Sequence, residues 1–130
     1  MSVDGLNHYN LRASQPLLDV LRDFYITVVG LEPGFRPPFD SFGYWLYAGG
    51  HPVVHLVEAL PGEHRPIGGA GTFDHAAFSC TDEQLFRTRL AHHGIKFSCE
   101  VVPLTGELQL FFKDPAGNGV ELNFPRVAPP

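Results

Sequence analysis

The spacing of apolar and polar positions switches between strand-like and helix-like patterns, and the order of these patterns is the same in both halves of the chain. Short stretches of strand-like alternation are followed by apolar positions at helical spacing, and further strand-like runs come after them. The predicted strands lie at residues 6–11, near 33–38, at 43–48 and 53–58, then at 73–78, 96–102, 107–113 and 119–124. Each half is therefore predicted to have four strands and one helix.

The two predicted helices have recognisable ends. The first begins at Ser14-Gln15-Pro16, and the second at Thr81-Asp82-Glu83-Gln84, which has the form of a capping box. Each helix ends at a glycine, Gly30 or Gly94, and these glycines are 64 positions apart. This agreement points to an internal repeat.

Matching order and nearly constant offsets predict a duplicated βαβββ unit. The modules span residues 5–58 and 73–125, and a Gly- and Pro-rich loop at 59–72 joins them. The predicted fold is α+β, a single domain over residues 1–130 with a concave mixed sheet. At 130 residues, one domain can bury a core of its own.

Charge and hydropathy narrow the classes of function. The formal net charge is −5 and the nine basic residues are scattered, which argues against nucleic-acid binding. No apolar run reaches the roughly 20 residues of a membrane span, and the N-terminus lacks signal-peptide features. A cytoplasmic protein is therefore expected, with Cys80 and Cys99 as reduced thiols.

Four metal-ligating side chains occupy equivalent places in the repeat. His8 and His75 are 67 positions apart in the first strands of the two modules, and His55 and Glu121 are 66 positions apart in the last strands. Strand alternation puts Glu121 on the face opposite Val120, Leu122 and Phe124. A buried carboxylate requires a cation or a donor, so these four residues are the predicted metal ligands.

Imidazole and carboxylate ligands together suit Zn, Ni, Fe(II), Mn or Co better than Ca or Mg. His8, His75 and Glu121 alone match the 2-His-1-carboxylate set of non-haem iron oxygenases. His55 is either a fourth ligand, an acid/base group or part of the pocket wall. Histidines at the end of the second helix, His92 and His93, are predicted to be structural, since a cation suits that end of a helix.

Several motifs resemble the vicinal oxygen chelate superfamily. Its opening is similar to LNHYNLR followed by a helix with Phe24-Tyr25, and its D-P-x-G-N-x-x-E-L ending is similar to residues 114–122. Members include glyoxalase I, methylmalonyl-CoA epimerase, extradiol dioxygenases, fosfomycin-modifying enzymes and bleomycin-binding proteins. The resemblance covers about residues 5–125.

This resemblance implies a metal centre in a cup-shaped sheet, commonly within a homodimer. The family's first-strand His, fifth-strand His and last-strand Glu fall on His8, His75 and Glu121. His55 departs from the Glu or Gln that glyoxalase I-like members carry there. His51 loosely resembles the pocket His of the dioxygenases. The candidate catalytic residues are therefore Glu121, His55 and His51.

Three functions fit these observations. The first is a divalent-metal-dependent lyase or isomerase that acts on a small oxygen-rich substrate through an enolate. The second is an Fe(II) dioxygenase of the extradiol ring-cleaving type, with His51 or His55 as acid/base. The third is a non-catalytic protein that binds a drug or metabolite.

Overall fold

The computed structural model describes residues 2–68 and 71–125. Backbone packing divides the chain into two compact units, Met1–Pro66 and Ile67–Pro130. The division falls inside the loop predicted at residues 59–72, where the sequence is rich in Gly and Pro. Each unit has a sheet and a core of its own.

The first unit contains one four-stranded sheet. Its elements are β1 (Tyr9–Ala13), α1 (Gln15–Phe24), β2 (Glu32–Gly34), β3 (Gly43–Ala48) and β4 (His51–Glu58), and one π-helical turn (Tyr25–Val29) extends α1. The strand order is β1-β4-β3-β2, with β1 parallel to β4 and the other pairs antiparallel. Strand β2 has three residues, fewer than predicted, because Pro37 and Pro38 have no N–H to donate to a sheet.

The second unit repeats this arrangement. Its elements are β5 (His75–Ser79), α2 (Glu83–His92), β6 (Ser98–Val101), β7 (Leu108–Lys113) and β8 (Gly119–Phe124). The strand order is β5-β8-β7-β6, again with one parallel pair, β5 and β8. The predicted α+β class and the two βαβββ modules are confirmed.

The helix ends agree with the predicted boundaries except at one cap. Ser14 caps α1, since its hydroxyl accepts a hydrogen bond from the backbone N–H of Leu17. The α2 cap is Asp82 and not Thr81, because the Asp82 carboxylate accepts from the backbone N–H of Leu85. Within the described residues, neither helix is long and apolar enough to cross a membrane.

Strand pairing gives the repeat a definite register. Asn10 pairs with His55 in the first unit, and Ala77 pairs with Glu121 in the second. His55 therefore occupies the place of Glu121. The prediction that His8 lies within the first strand is wrong, since pairing with β4 begins at Tyr9, so His8 lies immediately before β1.

Both cores lie on one face of their sheets. In the first unit, Leu18 and Leu21 of α1 are fully buried, as are Leu46, Val54 and Leu56 of the sheet. In the second unit the fully buried set is Leu90, Leu110, Val120 and Leu122, of which Val120 and Leu122 belong to β8. Alternation along β8 therefore places Glu121 on the face away from that core, as predicted.

The two cysteines are free thiols in different surroundings. Burial raises the pKa of Cys80 to about 11, whereas Cys99 is exposed. Because the thiolate is the reactive form, iodoacetamide at pH 8 should alkylate Cys99 at least about tenfold faster than Cys80. Peptide mass spectrometry over time checks this, with Cys99→Ser expected to remove the fast reaction. Equal rates at the two thiols in the folded protein would contradict the prediction.

Candidate metal site

His75 opens β5 and places each ring nitrogen against a carboxylate. Its Nδ1 lies 2.7 Å from Oδ2 of Asp74, and its Nε2 lies 3.0 Å from Oε1 of Glu121. Phe111 meets the ring edge-on, with centroids 5.4 Å apart. Contacts at both ring nitrogens and with Phe111 therefore fix the orientation of the His75 ring.

Glu121 is a buried carboxylate, with 5% of its surface exposed. Its Oε2 accepts a hydrogen bond from Gln109 Nε2 at 3.2 Å and a longer one from Asn123 Nδ2 at 3.4 Å. These amide donors hold one oxygen and leave Oε1 facing His75. A carboxylate at this depth requires such partners or a cation, since desolvation of an unpaired charge is costly.

Charge on His75 follows from these contacts. The hydrogen bond to Asp74, together with the negative charges of Glu121 and Asp74, raises the pKa of His75 above its ordinary value, although burial opposes this. A metal ion takes the place of the Nε2 proton when it binds such a ring. In the structure Nε2 and Oε1 form a hydrogen-bonded contact at 3.0 Å, so the two atoms are close enough to act together toward one divalent ion.

His8 repeats the orientation of His75. Its Nδ1 lies 2.7 Å from the side-chain oxygen of Asn7, the residue that precedes it, just as Asp74 precedes His75. An amide oxygen only accepts, so Nδ1 is the donor in this contact, and Nε2 is the ring nitrogen left to bind a metal. An oriented ring with a free Nε2 is the state in which histidine binds a metal.

His55 lies between two other rings on the first sheet. It stacks on His8 with centroids 3.7 Å apart, and on Trp45 with centroids 4.1 Å apart. Burial, followed by repulsion from His8, lowers its pKa, so the ring is neutral near pH 7. It hydrogen-bonds to the backbone of Pro52, while its buried Nε2 has no hydrogen-bond partner among the described residues.

Stacking restricts how His8 and His55 can be used together. A metal ion lies near the plane of each imidazole that binds it, along the nitrogen lone pair. The His8 and His55 planes are 16° from parallel at a spacing of 3.7 Å, so they do not meet near the nitrogens. Both rings cannot bind one ion in this arrangement, whereas either can do so alone.

His51, the other candidate acid/base group, uses its Nε2 in a hydrogen bond, whereas His8 uses its Nδ1. It is the first residue of β4, and its Nε2 lies 2.8 Å from the backbone oxygen of Asn7. The Nε2 therefore serves as a donor that fixes the segment carrying His8. In this respect His51 differs from His55, whose Nε2 has no hydrogen-bond partner among the described residues.

The structure thus pairs the predicted ligands within each unit: His8 with His55, and His75 with Glu121. Among residues 2–68 and 71–125, no group of three or more His, Cys, Asp or Glu side chains is placed to hold a metal ion. The full ligand set remains a prediction.

Sequence reasoning missed the residues that orient these side chains. Asn7 and Asp74 are 67 positions apart, the same offset as the histidines that follow them, so the repeat itself carried the signal. Asp114 was also missed, since it was not among the predicted site residues. It is 4% exposed, and its Oδ1 accepts from the backbone N–H groups of Ala116 and Asn118, both at 2.9 Å. It thereby orders the turn that leads into β8.

A family model described as "Glyoxalase/Bleomycin resistance protein/Dioxygenase superfamily" matches residues 5–122, nearly the whole chain. The chain belongs to this superfamily. This match confirms the predicted resemblance to the vicinal oxygen chelate proteins. The solved structures of glyoxalase-family proteins share the duplicated fold. No curated protein sequence is significantly similar to this chain.

Solved structures of the superfamily share the fold over nearly their full lengths. A glyoxylase/bleomycin resistance protein/dioxygenase domain from Frankia sp. EAN1pec has a TM-score of 0.77 at 21% identity, over 98% of this chain and 96% of that one. Lactoylglutathione lyase from Agrobacterium tumefaciens has a TM-score of 0.66 at 24% identity, over 95% and 96%.

A third structure contains a metal. It is a mutant of the genomically encoded fosfomycin resistance protein FosX from Listeria monocytogenes, in complex with Mn(II) and 1S,2S-dihydroxypropylphosphonic acid. Its TM-score is 0.64 at 18% identity, over 93% of this chain and 92% of that one. Membership of the superfamily supports metal-dependent enzyme chemistry or a related activity. At identities of 18–24%, the similarity to these three structures shows a shared fold and not a shared reaction.

Proposed function

We propose that this glyoxalase-superfamily chain is a divalent-metal-dependent enzyme that acts on a small oxygen-rich substrate with lyase or isomerase chemistry. The observation that carries the proposal is the His75–Glu121 pair. Its Nε2 and Oε1 atoms are 3.0 Å apart, and Asp74 holds the other ring nitrogen. A buried acid beside an oriented imidazole on a sheet face is arranged to bind a cation.

His8, His75 and Glu121 are the proposed ligands. The repeat supports His8, because Asn7 fixes its ring as Asp74 fixes that of His75. A divalent ion held by these residues would supply Lewis acidity, which would make a carbon-bound proton of an oxygen-rich substrate easier to remove. Gln109 and Asn123 hold Oε2 of Glu121, so its Oε1 stays directed toward His75.

His55 is the proposed proton acceptor. Its stacking on His8 excludes joint binding of one ion, and its lowered pKa keeps Nε2 unprotonated at neutral pH. A neutral imidazole with a buried free lone pair is suited to general base catalysis. His51 is the weaker candidate, since its Nε2 is engaged by Asn7.

The first test is metal binding, read through Trp45. This residue is the only tryptophan in the chain, and it stacks on His55, which stacks on His8. Zn(II) bound by His8 should disturb the stack, so we expect Trp45 emission to change and to saturate at one equivalent per chain. The His8→Ala variant should lose the response. Normal zinc uptake by that variant, measured by calorimetry, would contradict the role of His8.

Metal identity and proton exchange then distinguish the reactions. Zn, Ni or Mn near one per chain in the purified protein, with metal-dependent exchange of the carbon-bound proton of α-hydroxyketones in D2O, supports the proposal. Oxygen-sensitive Fe(II) with catechol cleavage would replace it with the dioxygenase. A protein that takes up no metal in excess would support simple binding of a small molecule. A homodimer and a cytoplasmic location stay predictions.

A further inference from the structure

The second unit has a cavity of about 590 Å³ next to His75. It lies between the segment joining α2 to β6, the end of β7 and the starts of β5 and β8. Its volume is within the range of small-molecule sites. Its lining residues include two aromatic residues, Phe97 and Phe111, and two basic residues, Lys96 and Lys113.

These lysines are unusual in this chain. The protein has a net charge of −5, and Lys96 and Lys113 are its only lysines, yet both line the same cavity. Among the described residues, neither ammonium group forms an ion pair with a carboxylate. Asp74 also lines the cavity; its carboxylate is hydrogen-bonded to Nδ1 of His75, and the positive charge of Lys113 contributes to lowering its pKa.

Strand register places Lys113 on the face that carries the proposed ligands. Gly119 of β8 pairs with His75 on one side and with Lys113 on the other. Directly paired residues point to the same side of a sheet, as do residues two apart, so Glu121 shares this face. A Cβ at Gly119 would lie 2.2 Å from the backbone oxygen of Asp74. Only glycine therefore fits at this position between His75 and Lys113.

We propose that this cavity binds an oxyanion of the substrate, a carboxylate, phosphate or phosphonate, between Lys96 and Lys113. Two ammonium groups with no ion-pair partner among the described residues suit such a group, because charge-assisted hydrogen bonds to oxyanions are the strong ones. Phe97 and Phe111 pack against the apolar part of the same molecule. The link to turnover rests on the proposed function, whereas anion binding itself does not.

The experiment measures anion binding in metal-free protein. Methylphosphonate and acetate are titrated separately at low ionic strength, and amide ¹H–¹⁵N shifts are followed. Shifts should concentrate at residues 95–98 and 111–113, with a Kd on the order of millimolar. The double variant Lys96→Gln/Lys113→Gln should weaken binding at least about tenfold, whereas Lys96→Arg/Lys113→Arg should retain it. Arg65→Gln, an exposed cation of the first unit, is the control.

Each outcome bears on the proposal. Tighter binding of methylphosphonate identifies a phosphate or phosphonate, and tighter binding of acetate identifies a carboxylate. Shifts located elsewhere, or unchanged affinity in the lysine-to-glutamine variant with a native-like spectrum, would overturn the subsite. A protein that binds the anion through its lysines but takes up no metal refutes the proposed function alone. A protein that takes up metal without lysine-dependent anion binding refutes the subsite alone.

Discussion

Replacing His75 with alanine is expected to lower the affinity for Zn(II) or Mn(II) by at least about 100-fold. The substitution removes the Nε2 atom that lies 3.0 Å from Oε1 of Glu121. Of the three proposed ligands, only His8 and Glu121 would then remain, too few to hold these ions tightly. Calorimetric titration of the metal-free protein measures the loss, and elemental analysis after dialysis gives the bound metal per chain.

Two further variants calibrate this result. His92→Ala removes an exposed histidine at the end of α2 and should leave metal affinity unchanged. Asp74→Ala keeps the proposed ligands but removes the acceptor on Nδ1 of His75, so we expect a loss of about 10- to 100-fold. If His75→Ala still binds one metal per chain while remaining folded by circular dichroism, the proposed site is wrong.

Replacing Asp114 with alanine should reduce the free energy of unfolding by about 2–4 kcal/mol. Its carboxylate is 4% exposed and accepts from Ala116 N, from Asn118 N and from the side-chain amide of Asn118 at 3.0 Å. Loss of these bonds leaves three donors poorly paired at the turn before β8. Because Glu121 follows on that strand, metal affinity should fall as well.

Urea unfolding of the metal-free protein tests the stability prediction. Asp114→Asn keeps one acceptor oxygen and should cost about half as much as alanine. Asp23→Ala is the matched control, since its side chain is 71% exposed and its change should be within about 0.5 kcal/mol. A loss at Asp114 no larger than at Asp23 would show that the turn does not depend on the carboxylate.

Much of the fold was predictable because it depends on local periodicity. Strands β3 and β8 have the predicted limits, and alternation along β8 assigned Glu121 to the face opposite Leu122. The repeat offset was informative because duplicated strands keep their register, as the Asn10–His55 and Ala77–Glu121 pairs show. The ends of the other strands were less predictable, since pairing with a distant strand decides them.

The periodicity of the sequence could not predict the contacts that determine the chemistry of the candidate residues. Nothing in the spacing of His8 and His55 indicates that their rings stack, because stacking depends on side-chain rotamers. Likewise, which nitrogen of His51 is engaged depends on a backbone oxygen 44 residues away. The convergence of Lys96 and Lys113 on one cavity follows from the path of the chain between α2 and β6.

Equivalent register in the two sheets allows the two units to be compared position by position. A chain made of two identical halves would carry the same side chain, with the same charge, at both counterpart positions. Here one counterpart is a neutral imidazole, His55, and the other is a carboxylate, Glu121. The same strand position therefore offers a neutral nitrogen base in one sheet and a negative charge in the other, so divergence after duplication has given one backbone arrangement two different chemical surfaces.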